Sequence, residues 1–195
     1  MRIAVSGTHA MGKSTLAEDF VENHPEFVLE VEPYYALQER FGVVFAEEPT
    51  PESFFTQLEY SLERTQAYEK KDNVIFDRCP IDYLAYLMHV SKRDLGDTSL
   101  DHWGDLARKV AKSLERLELI AFLPIVDGQE IMLSSDEDED FRLAVDRYFK
   151  QIYREDIYGL FSGQQPEVIE LWGSRQSRLA RLESQLARCP ISNRK

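Results

Sequence analysis

This chain of 195 residues has few cysteines, no long hydrophobic run and fewer basic than acidic residues. No apolar stretch approaches the roughly 20 residues that a membrane-spanning helix needs, so the sequence predicts no membrane association. The two cysteines, Cys79 and Cys189, show neither a disulfide framework nor a metal-ligand spacing, as is typical of a reducing compartment. Because the first residues enter a strand at once, we expect no signal peptide and a cytoplasmic protein.

The shortage of basic residues also limits the class of partner. Lysine and arginine number 23 against 35 aspartates and glutamates, which gives a formal net charge of −12. Such a charge repels phosphodiester backbones and predicts that nucleic acid is not a partner. It does not exclude a small nucleotide, because a single loop can concentrate positive potential. The length fits one core, so we expect residues 1–195 to form a single domain.

What the sequence does contain is a phosphate-binding loop near its start. The segment GTHAMGKS, residues 7–14, fits the pattern G-x-x-x-x-G-K-[ST] between a strand-like run and a helical pattern. Its glycines allow backbone N–H groups to point at phosphate oxygens, and the following helix adds free donors and a positive dipole end. The sequence therefore predicts a nucleoside triphosphate, with Lys13 on the β- and γ-phosphates and Ser14 on Mg²⁺. The predicted nucleotide-binding residues are Gly7, Thr8, His9, Ala10, Met11, Gly12, Lys13, Ser14 and Thr15.

Apolar strand-like runs alternate with helical patterns along the rest of the chain. The predicted strands are 1–6, 27–32, 73–77, 119–123 and 167–171. The predicted helices are 15–21, 34–41, 52–71, 80–91, 100–116, 141–158 and 175–187. This alternation is typical of an α/β fold in which helices cover both faces of a parallel sheet.

Polar residues follow two of these strands, and ligands of such sheets lie beyond the carboxyl ends of the strands. Asp77 directly follows a short apolar run, a position typical of a carboxylate that holds Mg²⁺. Arg78 would offer a cation to an anionic substrate. Alternatively, Asp77 caps the next helix and Arg78 pairs with a carboxylate. Glu32 is the candidate general base, or else a solvated glutamate. Asp82 could bind a substrate hydroxyl, but it equally suits the first turn of its helix.

Three motifs carry a resemblance to a known family. The phosphate loop, the strand end Glu32-Pro33 and the stretch VIFDRCPIDYLAY at 74–86 together resemble the small AAA-domain P-loop proteins. That group includes the ribosylnicotinamide kinase domain of bacterial NAD regulators and is similar to the deoxynucleoside and nucleotide kinases. The resemblance implies a three-layer α/β/α sandwich with a five-stranded kinase-type sheet, ATP and Mg²⁺ as cofactors, and an arginine-bearing lid at about 127–147.

The resemblance also implies roles for residues away from the phosphate loop. In many relatives an arginine follows the Asp-Gly turn of the lid, where this chain has Gln129, so Arg142 and Arg147 are the remaining candidates. Gln57 and Arg64 on the helix 52–71 could read a base or a sugar from one face. Trp172 lies where adenine is held in such folds, or simply forms the turn before the last helix.

Two functions remain in view at this point. The first is an ATP- and Mg²⁺-dependent kinase, ribosylnicotinamide kinase-like, that phosphorylates a small nucleoside-like or nucleotide-like acceptor. The second is a regulatory nucleotide-binding NTPase or switch that acts through a protein partner, which Gln129 and the acidic run at 136–140 favour. The sequence leaves a homodimer open in either case.

Overall fold

Five parallel strands form the sheet of this protein in the order β2-β3-β1-β4-β5. The computed structural model describes residues 1–46, 48–69, 72–95, 101–128, 138–161 and 166–188. The strands are β1 (Arg2–Ser6), β2 (Val28–Glu30), β3 (Val74–Asp77), β4 (Leu119–Phe122) and β5 (Glu167–Glu170). The three central strands, β1, β3 and β4, are buried along their whole length, as a parallel sheet covered on both faces requires.

Helices connect the strands and cover both faces of the sheet. They are α1 (Lys13–Asn23), α2 (Pro33–Phe41), α3 (Pro51–Ala67), α4 (Pro80–Leu95), α5 (Asp101–Leu114), α6 (Glu139–Lys150) and α7 (Arg175–Arg188). Three of them begin at a proline, whose fixed φ and missing N–H suit the first helical turn. A capping box between Thr50 and Ser53 also fixes the start of α3.

Two apolar clusters lie on opposite faces of the sheet. Leu58 of α3, Leu84 of α4 and Phe149 of α6 pack on one face, together with Ala4 of β1. On the other face α1 and α7 pack against the neighbouring residues of the same strand, because successive side chains of a strand point to opposite sides. The predicted three-layer α/β/α sandwich with a five-stranded parallel sheet is therefore confirmed.

Several element boundaries differ from the sequence-based expectation. The helix expected over 141–158 begins at Glu139, because the Asp138 side chain accepts a hydrogen bond from the N–H of Phe141 at 3.0 Å. It changes at Lys150 into a π-helical turn, Gln151–Glu155, and ends at Asp156, which has a left-handed conformation. The helix expected over 52–71 ends at Ala67. Among the described helices, none has both the length and the apolar character needed to cross a membrane.

Candidate functional site

The loop between β1 and α1 adopts backbone conformations that its sequence makes accessible. Gly7 has a φ of +143°, Ala10 a φ of +56° and Gly12 a φ of +78°. A Cβ atom on Gly7 would lie 2.6 Å from the carbonyl oxygen of Leu123, so both the conformation and the close approach require glycine. The loop delivers the chain directly into the first turn of α1, whose N–H groups have no partner within the helix. This is the backbone geometry of an anion cradle.

We expect Gly7→Ala to destabilise the folded protein by roughly 3 kcal/mol, because a strained φ and a steric overlap add at this position. Urea denaturation of both proteins would measure the loss. Gly42→Ala is a matched control, because Gly42 also has a positive φ, of +65°, but no atom lies within 4 Å of its added Cβ. Equal losses in the two variants would show that the contact with Leu123 has no energetic weight.

The side chain of Asp82 links the loop between β1 and α1 to the start of α4 through hydrogen bonds. One oxygen of its carboxylate accepts a hydrogen bond from the N–H of Gly7 at 3.1 Å, and the other accepts one from the N–H of Cys79 at 3.0 Å. The side chain is fully buried, and this burial raises the pKa of the carboxyl group. The expectation that Asp82 contacts a substrate hydroxyl is therefore corrected: its carboxylate bonds to the protein backbone.

Lys13 is the first residue of α1, and its side chain returns to the loop. Its Nζ donates to the carbonyl oxygen of Thr8 at 2.7 Å, and the side chain is only 4% exposed. Desolvation lowers the pKa of this amine to about 8, although the carboxylates of Glu32 and Asp77 act in the opposite direction. These carboxylates therefore compensate only in part for the burial of the ammonium.

Asp77, at the end of β3, has an unsatisfied carboxylate. It pairs in register with Val5 of β1, is 5% exposed, and its Oδ1 has no hydrogen-bond partner among the described residues. Burial raises the pKa of Asp77, while the Lys13 charge and a hydrogen bond with Ser14 act to lower it. An orphaned carboxylate oxygen beside a serine hydroxyl fits the ligand preference of Mg²⁺.

A metal at this point would need more ligands than the described residues supply. In the described part of the chain, no group of three or more histidine, cysteine, aspartate or glutamate side chains could hold a metal ion. Mg²⁺ is commonly held by one or two protein groups together with waters and substrate phosphates. Asp77 and Ser14 fit that arrangement, with phosphate oxygens completing the coordination.

Glu32 and Arg78 form a buried ion pair beside the loop. The Nε of Arg78 donates to Oε1 of Glu32 at 2.6 Å, and its Nη1 donates to the carbonyl oxygen of Gly7 at 3.2 Å. Burial acts to raise the pKa of Glu32, but the charges of Arg78 and Lys13 outweigh it and hold this pKa below its ordinary value. Glu32 is therefore a carboxylate at neutral pH. Of the two roles left open for Arg78, the structure shows the pairing with a carboxylate, and that carboxylate is the candidate base.

The Glu32–Arg78 pair lies at the wall of a cavity of about 620 Å³, which we call the acceptor cavity. Gln57 of α3 also lines it, and its Nε2 donates to the carbonyl oxygen of Ser53 at 3.1 Å. Phe54 stacks on Tyr86 with ring centroids 4.8 Å apart, and the hydroxyl of Tyr83 is buried without a described partner. The aromatic rings at the wall belong to Tyr34, Phe45, Phe54, Tyr83, Tyr86 and Phe141. A flat ring bearing hydroxyl groups suits such a cavity.

Arg64 does not reach the acceptor cavity, which corrects the expectation that it reads a base or a sugar. Its Nε and Nη2 donate to the two carboxylate oxygens of Glu30 at 2.8 and 2.9 Å. The hydroxyl of Tyr68 donates to the same carboxylate at 2.6 Å. Gln57 and Arg64 are seven residues apart on α3, but Arg64 turns toward the end of β2, where a buried glutamate needs a cation.

Of the two arginines predicted for the lid, Arg142 has a described contact with the phosphate loop. Its Nε donates to the carbonyl oxygen of His9 at 3.2 Å, and its Nη2 lies 3.0 Å from the sulfur of Met11. Arg147 is exposed on α6, and its catalytic role remains a prediction. Gln129 and the beginning of the acidic run at 136–137 lie outside the described residues.

Three residues that line the acceptor cavity, His9, Tyr83 and Tyr86, had weak sequence signals. His9 lines the acceptor cavity, its N–H donates to the hydroxyl of Tyr86 at 2.8 Å, and burial with three nearby cations lowers the pKa of its ring to about 4. His9 is therefore a neutral wall residue at physiological pH. Tyr83 and Tyr86, three residues apart on α4, share one helical face, and this spacing was the available signal. Trp172 is 44% exposed beneath the guanidinium of Arg181, and its adenine role remains a prediction.

Comparison with known proteins matches most of the chain to one family of domains. A family model described as "AAA domain" matches residues 2–178. No curated protein sequence matches the chain.

Similar solved structures share the fold at low sequence identity. Deoxyadenosine kinase from M. mycoides with dCMP and dCDP has a TM-score of 0.66 and 13% identity, covering 96% of this chain and 100% of that one. A NadR protein in complex with NR has a TM-score of 0.62 and 16% identity, covering all of this chain and 53% of that one. Thymidylate kinase from Candida albicans has a TM-score of 0.60 and 14% identity, covering 96% and 91%. At these identities the likeness shows the fold alone.

Proposed function

Because the chain belongs to the AAA domain family and has the fold of P-loop nucleoside and nucleotide kinases, we propose that it is an ATP- and Mg²⁺-dependent kinase. Its acceptor is a small nucleoside-like or nucleotide-like molecule, as in a ribosylnicotinamide kinase. The observation that carries this proposal is the position of Glu32, which lines the acceptor cavity and is bonded to an arginine that also contacts the phosphate loop.

The residues divide between a donor side and an acceptor side. On the donor side, the loop amides and Lys13 bind the triphosphate, while Asp77 and Ser14 hold Mg²⁺, which neutralises charge on the phosphates when bound. On the acceptor side, the aromatic wall and Gln57 orient the ring of the acceptor, so that its hydroxyl lies against Glu32. Catalysis then depends on alignment and charge neutralisation rather than on a covalent intermediate.

Glu32 accepts the proton of the acceptor hydroxyl as the phosphoryl group is transferred. Arg78 keeps Glu32 ionised and oriented, because its guanidinium has four contacts: the carboxylates of Glu32 and Asp82, the carbonyl oxygen of Gly7 and the face of Tyr86. Arg142 is the lid cation that would meet the transferred group, with the segment at about 127–147 as the proposed lid.

A panel of acceptors tests the proposal. We expect label from γ-labelled ATP with Mg²⁺ to appear on one acceptor class among ribosylnicotinamide, deoxynucleosides, ribonucleosides and nucleoside monophosphates. Arg64→Met is a matched control on α3, because Arg64 points away from the cavity, and it should leave the choice of acceptor unchanged. Slow release of phosphate without any dependence on acceptor would instead favour a regulatory NTPase.

A further inference from the structure

A third arginine, besides Arg78 and Arg142, reaches the phosphate loop, and it comes from the face of the sheet that α7 covers. Arg178, in the first turns of α7, donates from Nη1 to the carbonyl oxygen of Met11 at 2.5 Å. The same nitrogen would lie 3.5 Å from a Cβ atom on Gly12. The guanidinium therefore touches the loop at the residue that precedes α1, on the face covered by α1 and α7 rather than at the acceptor cavity.

Arg178 is a buried cation for which the described residues supply no counter-ion. It is 8% exposed, its Nε has no hydrogen-bond partner among the described residues, and no described carboxylate pairs with it. Desolvation alone lowers the pKa of this guanidinium, with no acidic group acting in the opposite direction. A buried charge that is unpaired destabilises a fold, so such a residue is usually retained for a ligand.

The other arginines of α7 make the contrast clear. Arg175 donates to both carboxylate oxygens of Asp19, at 2.7 and 2.5 Å. Arg181 lies over the ring of Trp172 and donates to the carbonyl oxygen of Glu170 at 3.1 Å. Arg178 is the buried one, and it faces the loop where an anion is expected.

We propose that Arg178 binds the phosphate groups of the nucleotide, so that α7 adds a side chain to the site formed by the phosphate loop. This inference rests on the nucleotide binding included in the proposed function. A planar guanidinium with free N–H groups matches phosphate oxygens, and the carbonyl oxygen of Met11 holds it beside the loop before the nucleotide arrives. The anion would supply the missing negative charge, so the site is more favourable when it is filled.

Binding of Mg²⁺ with inorganic triphosphate, which has no base or sugar, tests this assignment directly. We expect Arg178→Met to weaken the affinity for triphosphate and for ATP by about tenfold or more, because a charge-assisted hydrogen bond is lost. The melting temperature of the ligand-free protein should stay the same or rise, since a buried charge is replaced by an apolar chain of similar length. Arg178→Lys, which keeps the charge but not the planar fork, should weaken binding less.

Arg188→Met is the matched control, because Arg188 is exposed near the end of the same helix, and its affinity should equal that of the wild type. Unchanged affinity in both Arg178 variants, or a loss for ATP without a loss for triphosphate, would overturn the inference. So would a wild-type protein that does not bind triphosphate. If triphosphate binds through Arg178 but no acceptor is labelled, the kinase proposal fails and this inference stands.

Discussion

Replacing Glu32 by glutamine is expected to reduce phosphoryl transfer by about 10²- to 10⁴-fold, the usual contribution of a general base. The amide oxygen can still accept the hydrogen bond that Arg78 donates to Oε1 at 2.6 Å, so the wall of the acceptor cavity keeps its shape. The amide cannot accept a proton from the acceptor hydroxyl. The effect should therefore appear in kcat, measured with labelled ATP and the acceptor found in the panel, while Mg-ATP still raises the melting temperature.

Glu30→Gln is the control for this variant. Glu30 lies two residues earlier, and it also pairs with an arginine, Arg64, at 2.8 and 2.9 Å. It does not line the acceptor cavity. We expect Glu30→Gln to lower the melting temperature, because a partly buried ion pair is broken, and to leave kcat near the wild-type value. Equal losses of kcat in the two variants would mean that Glu32 acts through stability rather than as a base.

The second large effect is expected from Lys13→Met, which should remove the rise in melting temperature caused by Mg-ATP. A ligand at a hundred times its dissociation constant stabilises a protein by about 2.7 kcal/mol, so the wild-type shift is readily measured. The Nζ of Lys13 donates to the carbonyl oxygen of Thr8 at 2.7 Å, which holds the ammonium at the loop. Lys112→Met, an exposed lysine of α5, should keep the full shift. A normal shift in Lys13→Met would remove the phosphate-binding role of the loop lysine.

The pKa of Lys13 adds a proton linkage to the same prediction. In the free protein desolvation lowers this pKa to about 8, and nearby phosphate charge would raise it. Above pH 8 the free amine is largely neutral, so binding of Mg-ATP must be accompanied by proton uptake and must weaken as the pH rises. Calorimetry at pH 9 in two buffers of different ionisation enthalpy should show an uptake approaching one proton. At pH 6.5 Lys13 should contribute almost none, and equal uptake at both pH values would contradict the linkage.

The fold was predictable because its signals are local or periodic. Continuous apolar runs at β1, β3 and β4 indicated buried parallel strands, and the glycines of the phosphate loop indicated its backbone path. The π-helical turn after Lys150 was not predictable, because it continues the same helical pattern. Local periodicity does not distinguish an α-helix from a π-helical turn whose hydrogen bonds span one more residue.

Some residues of the candidate site were likewise predictable from the sequence, and others were not. Lys13, Ser14 and Asp77 lie in motifs whose spacing brings them to one edge of the sheet. The outcomes for Arg64 and Asp82 depended on partners that a helical spacing does not reveal. A buried guanidinium or carboxylate pairs with the nearest opposite charge or hydrogen-bonds to the nearest unpaired backbone group. That partner belongs to another helix, strand or loop.

By itself the sequence determined the class of fold, the phosphate loop and the residues that end the strands. These features depend on backbone conformations that neighbouring residues in the chain favour. Only the tertiary structure decided which polar residues face the ligands. It assigned Arg64 to Glu30, Asp82 to Gly7 and Arg142 to the loop, and it brought Arg178 to a loop that lies 167 residues earlier in the chain. The physical reason is that buried charges pair according to their distance in space. That distance is set when separate helices and strands pack together, and the spacing of residues along the chain does not specify it.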